Sequence, residues 1–153
     1  MTAAIFFLVN HPLSFDLFSA EWANAWGELL RQDAAYRKAA KSWQWPVVVT
    51  VRADAAAGFS EDRSVFLDLW EGDCRHARPA TAADLENAPF VIAADFRVFR
   101  DILDGKMDPL VGLMRGKLQL VKGSLVKLLP YTGAAKRMVS IAAGIPTRYT
   151  GDE

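Results

Sequence analysis

The sequence predicts an α+β fold, and three observations support this prediction. Near the N-terminus, Phe18, Trp22, Trp26 and Leu29 recur at spacings of four, four and three, which is typical of one face of a helix. Several stretches that follow are rich in β-branched residues or alternate between apolar and polar residues, as strands do. Helical spacing returns after the last of these stretches. With 153 residues, of which 52% are hydrophobic, the chain can build one full core, so we expect a single domain over residues 1–153.

Two helices are expected before the first strand. Ser19 is a favourable N-cap for a helix that continues through Leu30. Asp33 interrupts the pattern and is suited to cap a second, shorter helix that extends the apolar stripe. Trp45-Pro46 ends helical geometry, because the residue before a proline disfavours the helical conformation.

Four strands are predicted next. The first is WPVVVTVRAD, and the second is SVFLDLWEG, in which Val65, Leu67 and Leu69 share one face. Gly72-Asp73 suits a hairpin turn into the third strand, CRHARPA. We interpret ATAADLENA as a polar connection and PFVIAA as the fourth strand.

The C-terminal part is expected to contain further helices and one more strand. Asp95 is suited to cap a helix that ends at Gly105. DPLVGL opens a short helix with proline in its first turn, and GKLQLVKG alternates as a fifth strand. The pattern then becomes helical again, broken by Pro130 and Gly133. The apolar stripe predicted on this last helix consists of Ala135, Met138, Val139 and Ala142.

Composition limits the classes of protein to which the chain can belong. The formal net charge is zero, so no nucleic-acid partner is expected. The apolar run from Ala3 to Val9 lacks a preceding positive cluster and is short for a signal peptide, and no later stretch approaches the ~18 apolar residues of a membrane span. The single cysteine, Cys74, cannot form an intramolecular disulfide, which favours a reducing compartment. We therefore expect a cytoplasmic protein, with residues 1–14 as a candidate N-terminal arm.

A search for chemical motifs finds no catalytic site, metal site or cofactor site. His11 and His76 are the only histidines, and neither clusters with Cys74 or with carboxylates at metal-ligand spacing. The glycines of GLMRGKL are separated by three residues, whereas a phosphate-binding loop requires four and a Ser or Thr after the lysine. A Ser-His-Asp arrangement assembled by folding stays open, but no G-x-S-x-G motif is present. We expect no enzymatic activity and no cofactor.

Basic residues concentrate in the C-terminal half of the chain. Residues 1–76 carry seven Lys or Arg against ten Asp or Glu, whereas residues 77–153 carry eleven against eight. Between Gly105 and Arg137 only Asp108 opposes the basic residues, so this stretch carries a net charge of +6. The basic residues of the stretch are Lys106, Arg115, Lys117, Lys122, Lys127, Lys136 and Arg137. They form either an ordinary solvated face or a patch that faces anionic lipid or a phosphate-bearing ligand.

The span DFRVFRDILDGKMDPLVGLMRGKLQLVKGSLVKLL resembles the sterol carrier protein 2 family. That family's pattern is a short helix, Gly-Lys-Met with an Asn- or Asp-Pro turn, and a second short helix with two bulky apolar residues. Gly-Lys-Leu-x-hydrophobic and a glycine step into the last helix follow. Here GKMDP matches the turn, Leu113 and Met114 occupy the apolar pair, and GKLQL with Gly123 matches the strand. Arg115 stands where an uncharged polar residue, usually Gln, is expected. The early tryptophan helix and the terminal IPT are similar to bacterial stand-alone members.

The resemblance implies a five-stranded, mostly antiparallel sheet with helices packed on one face around an apolar cavity. It implies that the cavity binds a hydrophobic small molecule (a sterol, fatty acid, acyl-CoA or phospholipid) without catalysis, for binding or transfer. A buried acyl chain gains roughly 0.8 kcal/mol per methylene, so such a site requires no acid or base. The candidate ligand-binding residues that the resemblance indicates are Leu110, Leu113, Met114, Leu118, Leu120, Met138 and Val139.

Two further functions remain compatible with the sequence. In the first, the chain is an interaction or dimerisation module with a vestigial cavity, and Phe66 and Trp70 on the solvated face of the sheet mark a partner surface. In the second, an enzyme acts on a bound acyl or steroid substrate. If the chain is a transfer protein, the basic stretch predicts a transient contact between the mouth of the cavity and an anionic membrane.

Overall fold

The computed structural model describes residues 14–149, and its helices and strands alternate largely as predicted. The candidate N-terminal arm lies outside the described residues except for Ser14, as does His11. The helices are α1 (Ala20–Gln32), α2 (Ala34–Ala39), α3 (Ala82–Asn87), α4 (Phe96–Leu103), α5 (Pro109–Met114), α6 (Leu125–Leu128) and α7 (Thr132–Ala143). The strands are β1 (Phe15–Asp16), β2 (Val47–Val51), β3 (Arg63–Trp70), β4 (Asp73–Pro79), β5 (Phe90–Ala94), β6 (Leu118–Lys122) and β7 (Thr147–Arg148). Single 3₁₀ turns occupy Ala55–Ala57 and Leu129–Tyr131.

Five strands form one mixed sheet in the order β4-β3-β2-β5-β6. The pairs β3–β4, β2–β3 and β5–β6 are antiparallel, and only the central pair β2–β5 is parallel. That parallel pair requires a long crossover, which β3, β4 and α3 supply. The prediction of an α+β fold with a five-stranded, mostly antiparallel sheet is confirmed.

The two faces of the sheet are covered differently. Val47, Val49 and Val51 alternate with Val48 along β2, and so they point to the opposite face. The first three belong to the main hydrophobic core, which also contains buried residues from each of α1, α2, α4 and α7. Val48 belongs to a second, smaller cluster with Ala88, the residue that follows α3. We call the face towards the main core the inner face and the other the outer face.

Helix α3 lies where a polar connection was predicted, and that prediction is wrong. The Thr81 side chain accepts a hydrogen bond from the Asp84 backbone N–H, and the Asp84 carboxylate accepts one from the Thr81 N–H, which together form a capping box. Lys122 pairs with Val91 on the outer face and donates from Nζ to the backbone carbonyls of Leu85 and Glu86. The helix is therefore held at both of its ends.

The predicted caps of the first two helices are present. The Ser19 hydroxyl accepts a hydrogen bond from Trp22 N, and the Asp33 carboxylate accepts one from Tyr36 N. Asp95 occupies the N-cap of α4, but its side chain makes no capping hydrogen bond.

Within residues 14–149, none of the helices is long and apolar enough to cross a membrane.

One predicted turn shifts by a residue, and one of the two predicted helix breaks is absent. The hairpin between β3 and β4 turns at Glu71-Gly72 rather than Gly72-Asp73, because Asp73 pairs with Trp70. Both turn residues have positive φ, at 51° and 85°, as a two-residue turn of this hand requires. Pro130 does end α6, and a 3₁₀ turn connects it to α7. Gly133 lies inside α7, so the break predicted there is wrong.

The short strands β1 and β7 bring the two ends of the described chain together. Phe15 pairs with Thr147 and Asp16 with Arg148 in parallel. The Arg148 guanidinium also donates to the Asp16 carboxylate at 2.8 Å. This pair, which we call the clasp, fixes the start of α1 next to the end of α7.

Candidate functional site

An apolar cavity of about 130 Å³ lies between the inner face of the sheet and the helices. Twenty-two residues line it; most come from strands β2, β3, β5 and β6 and from every helix except α3, and four come from the connections next to them. The lining residues are Phe18, Trp22, Trp26, Tyr36, Ala40, Trp43, Val47, Val49, Leu69, Ile92, Phe99, Ile102, Leu103, Pro109, Leu118, Leu128, Tyr131, Ala134, Ala135, Met138, Val139 and Ala142. Tyr36 and Tyr131 contribute the only hydroxyl groups among them.

The three indole N–H groups of the wall are already hydrogen-bonded within the protein. Trp22 Nε1 donates to Thr147 Oγ1 at 2.9 Å, and Trp26 Nε1 donates to the Met138 carbonyl at 3.1 Å. Trp43 Nε1 donates to the Trp45 carbonyl at 2.6 Å. Because each donor has a protein acceptor, the indoles present their apolar rings to the cavity rather than polar groups. Burial raises the pKa of the Tyr36 hydroxyl well above its ordinary value, so that residue stays neutral at physiological pH.

Aromatic contacts fix the wall on two sides. Trp43 meets Phe90 at 4.8 Å and Tyr131 at 4.9 Å between ring centroids, which ties the α2–β2 junction to the start of α7. Phe18 meets Trp22 at 5.1 Å and Phe99 at 5.4 Å, which ties α1 to α4. Such edge-to-face and tilted pairs add stability beyond the area they bury.

Half-buried lining residues mark where the cavity approaches solvent. They include Leu103 at the end of α4, Pro109 at the start of α5, Leu118 on β6, Leu128 at the end of α6 and Met138 on α7. The elements that carry them surround one side of the cavity. We call this side the mouth.

The structure brings three of the seven predicted ligand-binding residues to the cavity wall. Leu118 lines it from β6, and Met138 and Val139 line it from α7. Ala135 and Ala142, the other two members of the predicted stripe on the last helix, line it as well. That ligands contact these side chains stays a prediction.

The other four predicted residues lie outside the wall. Leu120 faces inward with Ile92, its partner in the sheet, but it packs against the core at the edge of the sheet. Leu110 and Leu113 are half-buried on α5, and Met114 is 69% exposed. Helix α5 has six residues, and only its first residue, Pro109, lines the wall. The predicted apolar pair at its other end, Leu113 and Met114, does not reach the cavity.

Sequence reasoning missed the larger part of the wall. Trp22 and Trp26 were recognised as an apolar stripe but not as cavity residues, because a stripe on a core helix looks the same in either case. The sequence did contain one indication of a cavity, which is the contrast in side-chain size between α1 and α7. The large rings of α1 face the small side chains of Ala134, Ala135 and Ala142 on α7, and such a pairing can leave space between two helices.

The basic stretch is divided among several environments. Arg137 donates two hydrogen bonds to the Asp33 carboxylate and lowers its pKa, and Lys136 pairs with Asp108 at 3.1 Å. Lys122 is used at the end of α3, as described above. Lys127 lies over the Trp45 ring at 5.0 Å from its centroid. The remaining members, Lys106, Arg115 and Lys117, are exposed and make no ion pair with the described residues.

The aromatic residues of the outer face are partly covered. The Arg78 guanidinium lies 4.4 Å from the centroid of Phe66, which is half-buried beside the smaller cluster. Arg75 lies 4.9 Å from the centroid of Trp70, which is 38% exposed. Each ring therefore has an arginine against it, and Trp70 keeps part of its surface exposed.

Cys74 is fully buried and does not line the cavity. Its thiol donates to the His76 carbonyl at 3.4 Å, and burial raises its pKa to about 12. Because the thiolate is the reactive form, we expect Cys74 to resist a thiol-specific chromogenic reagent at pH 8 in the folded protein. In denaturant it should react completely. Rapid reaction of the folded protein would show that β4 opens far more readily than its burial implies.

Within the described residues, no group of three or more His, Cys, Asp or Glu side chains is arranged to hold a metal ion. The lining residues of the cavity include no charged side chain. The site is therefore suited to hold an apolar molecule by shape and burial.

Comparisons with known proteins agree with this geometry. Residues 26–135 match the model of the SCP-2 sterol transfer family. A crystal structure of sterol carrier protein 2 is 41% identical, covers 85% of this chain and 99% of its own, and superposes with a TM-score of 0.78. A conserved hypothetical protein from Thermus thermophilus, described as a candidate sterol carrier protein, is 40% identical, with coverages of 89% and 94% and a TM-score of 0.78.

A more distant structure shares the fold alone. The apo form of sterol carrier protein 2 from Yarrowia lipolytica is 18% identical, with coverages of 79% and 88% and a TM-score of 0.54. No curated protein sequence matches the chain at a significant level. The family model spans well over half of the chain, and the chain therefore belongs to the SCP-2 sterol transfer family.

Proposed function

We propose that this protein is a non-catalytic carrier that binds one apolar ligand, such as a sterol, a fatty acid or another acyl-chain lipid, in the inner cavity. The observation that carries the proposal is the wall itself. Its lining residues are apolar or aromatic, and its three indole donors are satisfied by the protein. Relatives named as sterol carriers at about 40% identity support the same class of ligand.

The chemistry of the wall favours hydrocarbon over polar ligands. A polar group that enters the cavity loses its hydrogen bonds to water and finds few protein partners, which costs several kcal/mol. A methylene gains roughly 0.8 kcal/mol. Met138 adds adaptability, because its unbranched side chain fills irregular gaps. The wall therefore selects for the hydrocarbon portion of a lipid and leaves any polar head at the mouth.

The size of the cavity implies that the wall moves when a lipid enters. A volume of about 130 Å³ is below the roughly 300–1,000 Å³ of typical ligand pockets. The elements best suited to move are α5 and α6, which have six and four residues, because short helices have little stability of their own. Outward displacement of these two helices would lengthen the cavity towards the mouth.

The side chains around the cavity support carriage rather than chemistry. Apart from the hydroxyl groups of Tyr36 and Tyr131, the lining residues, all of which belong to the described part of the chain, offer no nucleophile and no carboxylate. Cys74 is buried elsewhere in the thiol form. An acyl or steroid chain in this cavity would thus meet hydrocarbon and aromatic surfaces and, at most, the neutral hydroxyl groups of Tyr36 and Tyr131.

Filling the cavity tests the proposal. Ala135→Leu adds a branched side chain to the wall from α7, and it should lower the affinity for a fluorescent fatty acid by about tenfold or more. It should also raise the midpoint of thermal unfolding of the free protein, since it fills a void. The fatty acid titration and the melting curve measure the two effects.

The control is Ala143→Leu, which makes the same change at an exposed position of the same helix. Its affinity should stay within about twofold of the parent. Lipid extraction and mass spectrometry of the natively purified parent would identify the ligand. Equal affinity of the two variants would show that the cavity is not the binding site.

A further inference from the structure

The apolar wall of the cavity contains one buried hydroxyl group that has no hydrogen-bond partner. Tyr36 lines the cavity from α2 and is 1% exposed. Its backbone N–H donates to the Asp33 carboxylate, but within residues 14–149 its hydroxyl neither donates to nor accepts from another group. Tyr131, which carries the other hydroxyl of the wall, is half-buried and can bond to solvent. Buried polar groups almost always have a partner, so the hydroxyl of Tyr36 requires an explanation.

The hydroxyl of Tyr36 borders the space of the cavity. Among residues 14–149, every side-chain nitrogen or oxygen that is fully enclosed by protein has a hydrogen-bond partner. The Tyr36 oxygen has none, and it is therefore not fully enclosed. Because the residue is 1% exposed and lines the cavity, the open space next to its oxygen is the cavity itself.

Tyr36 lies on the opposite side of the cavity from Leu118. The Arg37 guanidinium donates to the carboxylate of Asp73, the first residue of β4, at 3.3 Å, so α2 packs beside β3 and β4. Leu118 begins β6. Strands β3 and β6 are separated by β2 and β5, which places them about 14 Å apart at the usual strand spacing. A ligand that passes Leu118 therefore reaches Tyr36 with its leading end.

The surrounding contacts hold Tyr36 in a fixed position. The Asp33 carboxylate that caps its backbone N–H at 2.8 Å is itself bound by the Arg137 guanidinium of α7. On the next residue, the Arg37 carbonyl packs so closely on Gly72 that a Cβ at this glycine would collide with it. Polar groups that recognise a ligand are most effective when their supporting contacts hold them in place before it binds.

We propose that the Tyr36 hydroxyl hydrogen-bonds a neutral oxygen, either a hydroxyl or a carbonyl, on the leading end of the ligand. A tyrosine hydroxyl can donate or accept, so it suits both groups. An ionised carboxylate is a poor partner, because no charged residue lines the cavity and an unpaired buried charge is costly. The inference rests on the proposed function and narrows its ligand to a hydrocarbon with a neutral oxygen at the end that enters first.

Two kinds of lipid have this chemistry. In an acyl chain whose carboxylate stays at the mouth, the oxygen would lie at the far end of the chain. An alcohol has no charged head, so its own hydroxyl can enter first. The first kind is represented by ω-hydroxydodecanoic acid, with dodecanoic acid as its reference, and the second by decanol, with decane as its reference.

Displacement of a fluorescent fatty acid by these four compounds tests the inference in the parent and in Tyr36→Phe. The variant should lose about tenfold in affinity for ω-hydroxydodecanoic acid, for decanol or for both, because the ligand hydroxyl then has no partner. Its affinity for dodecanoic acid and for decane should stay within about twofold of the parent. A loss for the hydroxy acid alone would indicate that an acyl chain enters tail first, and a loss for decanol alone would indicate that an alcohol enters oxygen first. The same ratio of affinities within each pair of compounds in parent and variant would overturn the inference.

The control is Tyr149→Phe, which removes a hydroxyl from a ring that contacts Phe96 and does not line the cavity. Its ratios should equal those of the parent, and an equal loss in this control would also overturn the inference. Tyr36→Phe keeps the ring and removes no hydrogen bond, so its melting midpoint should not fall. A parent that binds none of the probes would overturn the proposed function together with this inference, whereas binding without a Tyr36-dependent ratio would overturn this inference alone.

Discussion

Replacing Leu118 by aspartate should lower the affinity for a fluorescent fatty acid by about a hundredfold or more. Leu118 lines the cavity from β6 and is half-buried at the mouth, where an entering chain must pass. A carboxylate at this position would either be desolvated by the ligand, at a cost of several kcal/mol, or would draw water into the cavity. A fluorescence titration at neutral pH measures the change.

The control lies three residues along the same strand. Val121 is 58% exposed and does not line the cavity, so Val121→Asp introduces the same charge on β6 away from the ligand. It should bind the probe within about threefold of the parent. Circular dichroism would establish that both variants are folded. Unchanged affinity of folded Leu118→Asp would show that the ligand does not pass Leu118 at the mouth.

Truncation of Trp43 to alanine should give the largest loss of stability, about 3–5 kcal/mol. Trp43 is 4% exposed, its indole contacts the rings of Trp45, Phe90 and Tyr131, and its carbonyl accepts the Glu71 N–H at 2.6 Å. The side chain thus connects α2, the start of β5 and the turn before α7. Urea denaturation followed by far-ultraviolet circular dichroism gives the free energy of unfolding.

The comparison variant is Trp70→Ala. Trp70 is 38% exposed and its ring lies against the Arg75 guanidinium, so its loss should cost less than about 1 kcal/mol. Similar losses in the two variants would mean that the cluster around Trp43 is loosely packed. A loose cluster there would also explain how Tyr131 and the short helix α6 give way to a ligand.

Much of the fold could be predicted because its periodic signals are strong. The alternation of Val65, Leu67 and Leu69 assigns the faces of β3 correctly, and Ser19 and Asp33 cap the first two helices as expected. Helix α3 was missed because its six residues contain one large apolar side chain, Leu85, and so show no periodicity. The informative signal was local: Thr81 and Asp84 stand at capping-box spacing.

The site could be predicted only in part. Met138 and Val139 follow from the stripe of the last helix, and Leu118 from the alternation of β6. The rest of the wall depends on the distance between helices, for example between α1 with its large side chains and α7 with its small ones. The periodicity of the sequence does not contain that distance. Met114 illustrates the limit: it was predicted as a cavity residue, but it is 69% exposed, whereas its neighbour Leu113 is half-buried.

The clasp has a consequence for the order of folding. Its residues are separated by 132 positions in sequence, as Asp16 and Arg148 show. Closing such a loop from an unstructured chain would cost roughly 4 kcal/mol, which two short strands cannot supply. We therefore expect the clasp to form last, after the sheet and α7 have brought both ends together, and to be among the first contacts to open. Because α1 starts at one side of it and α7 ends at the other, an open clasp would release the Trp22–Thr147 hydrogen bond and let those two walls of the cavity part. The last step of folding is then also a step by which the cavity can widen.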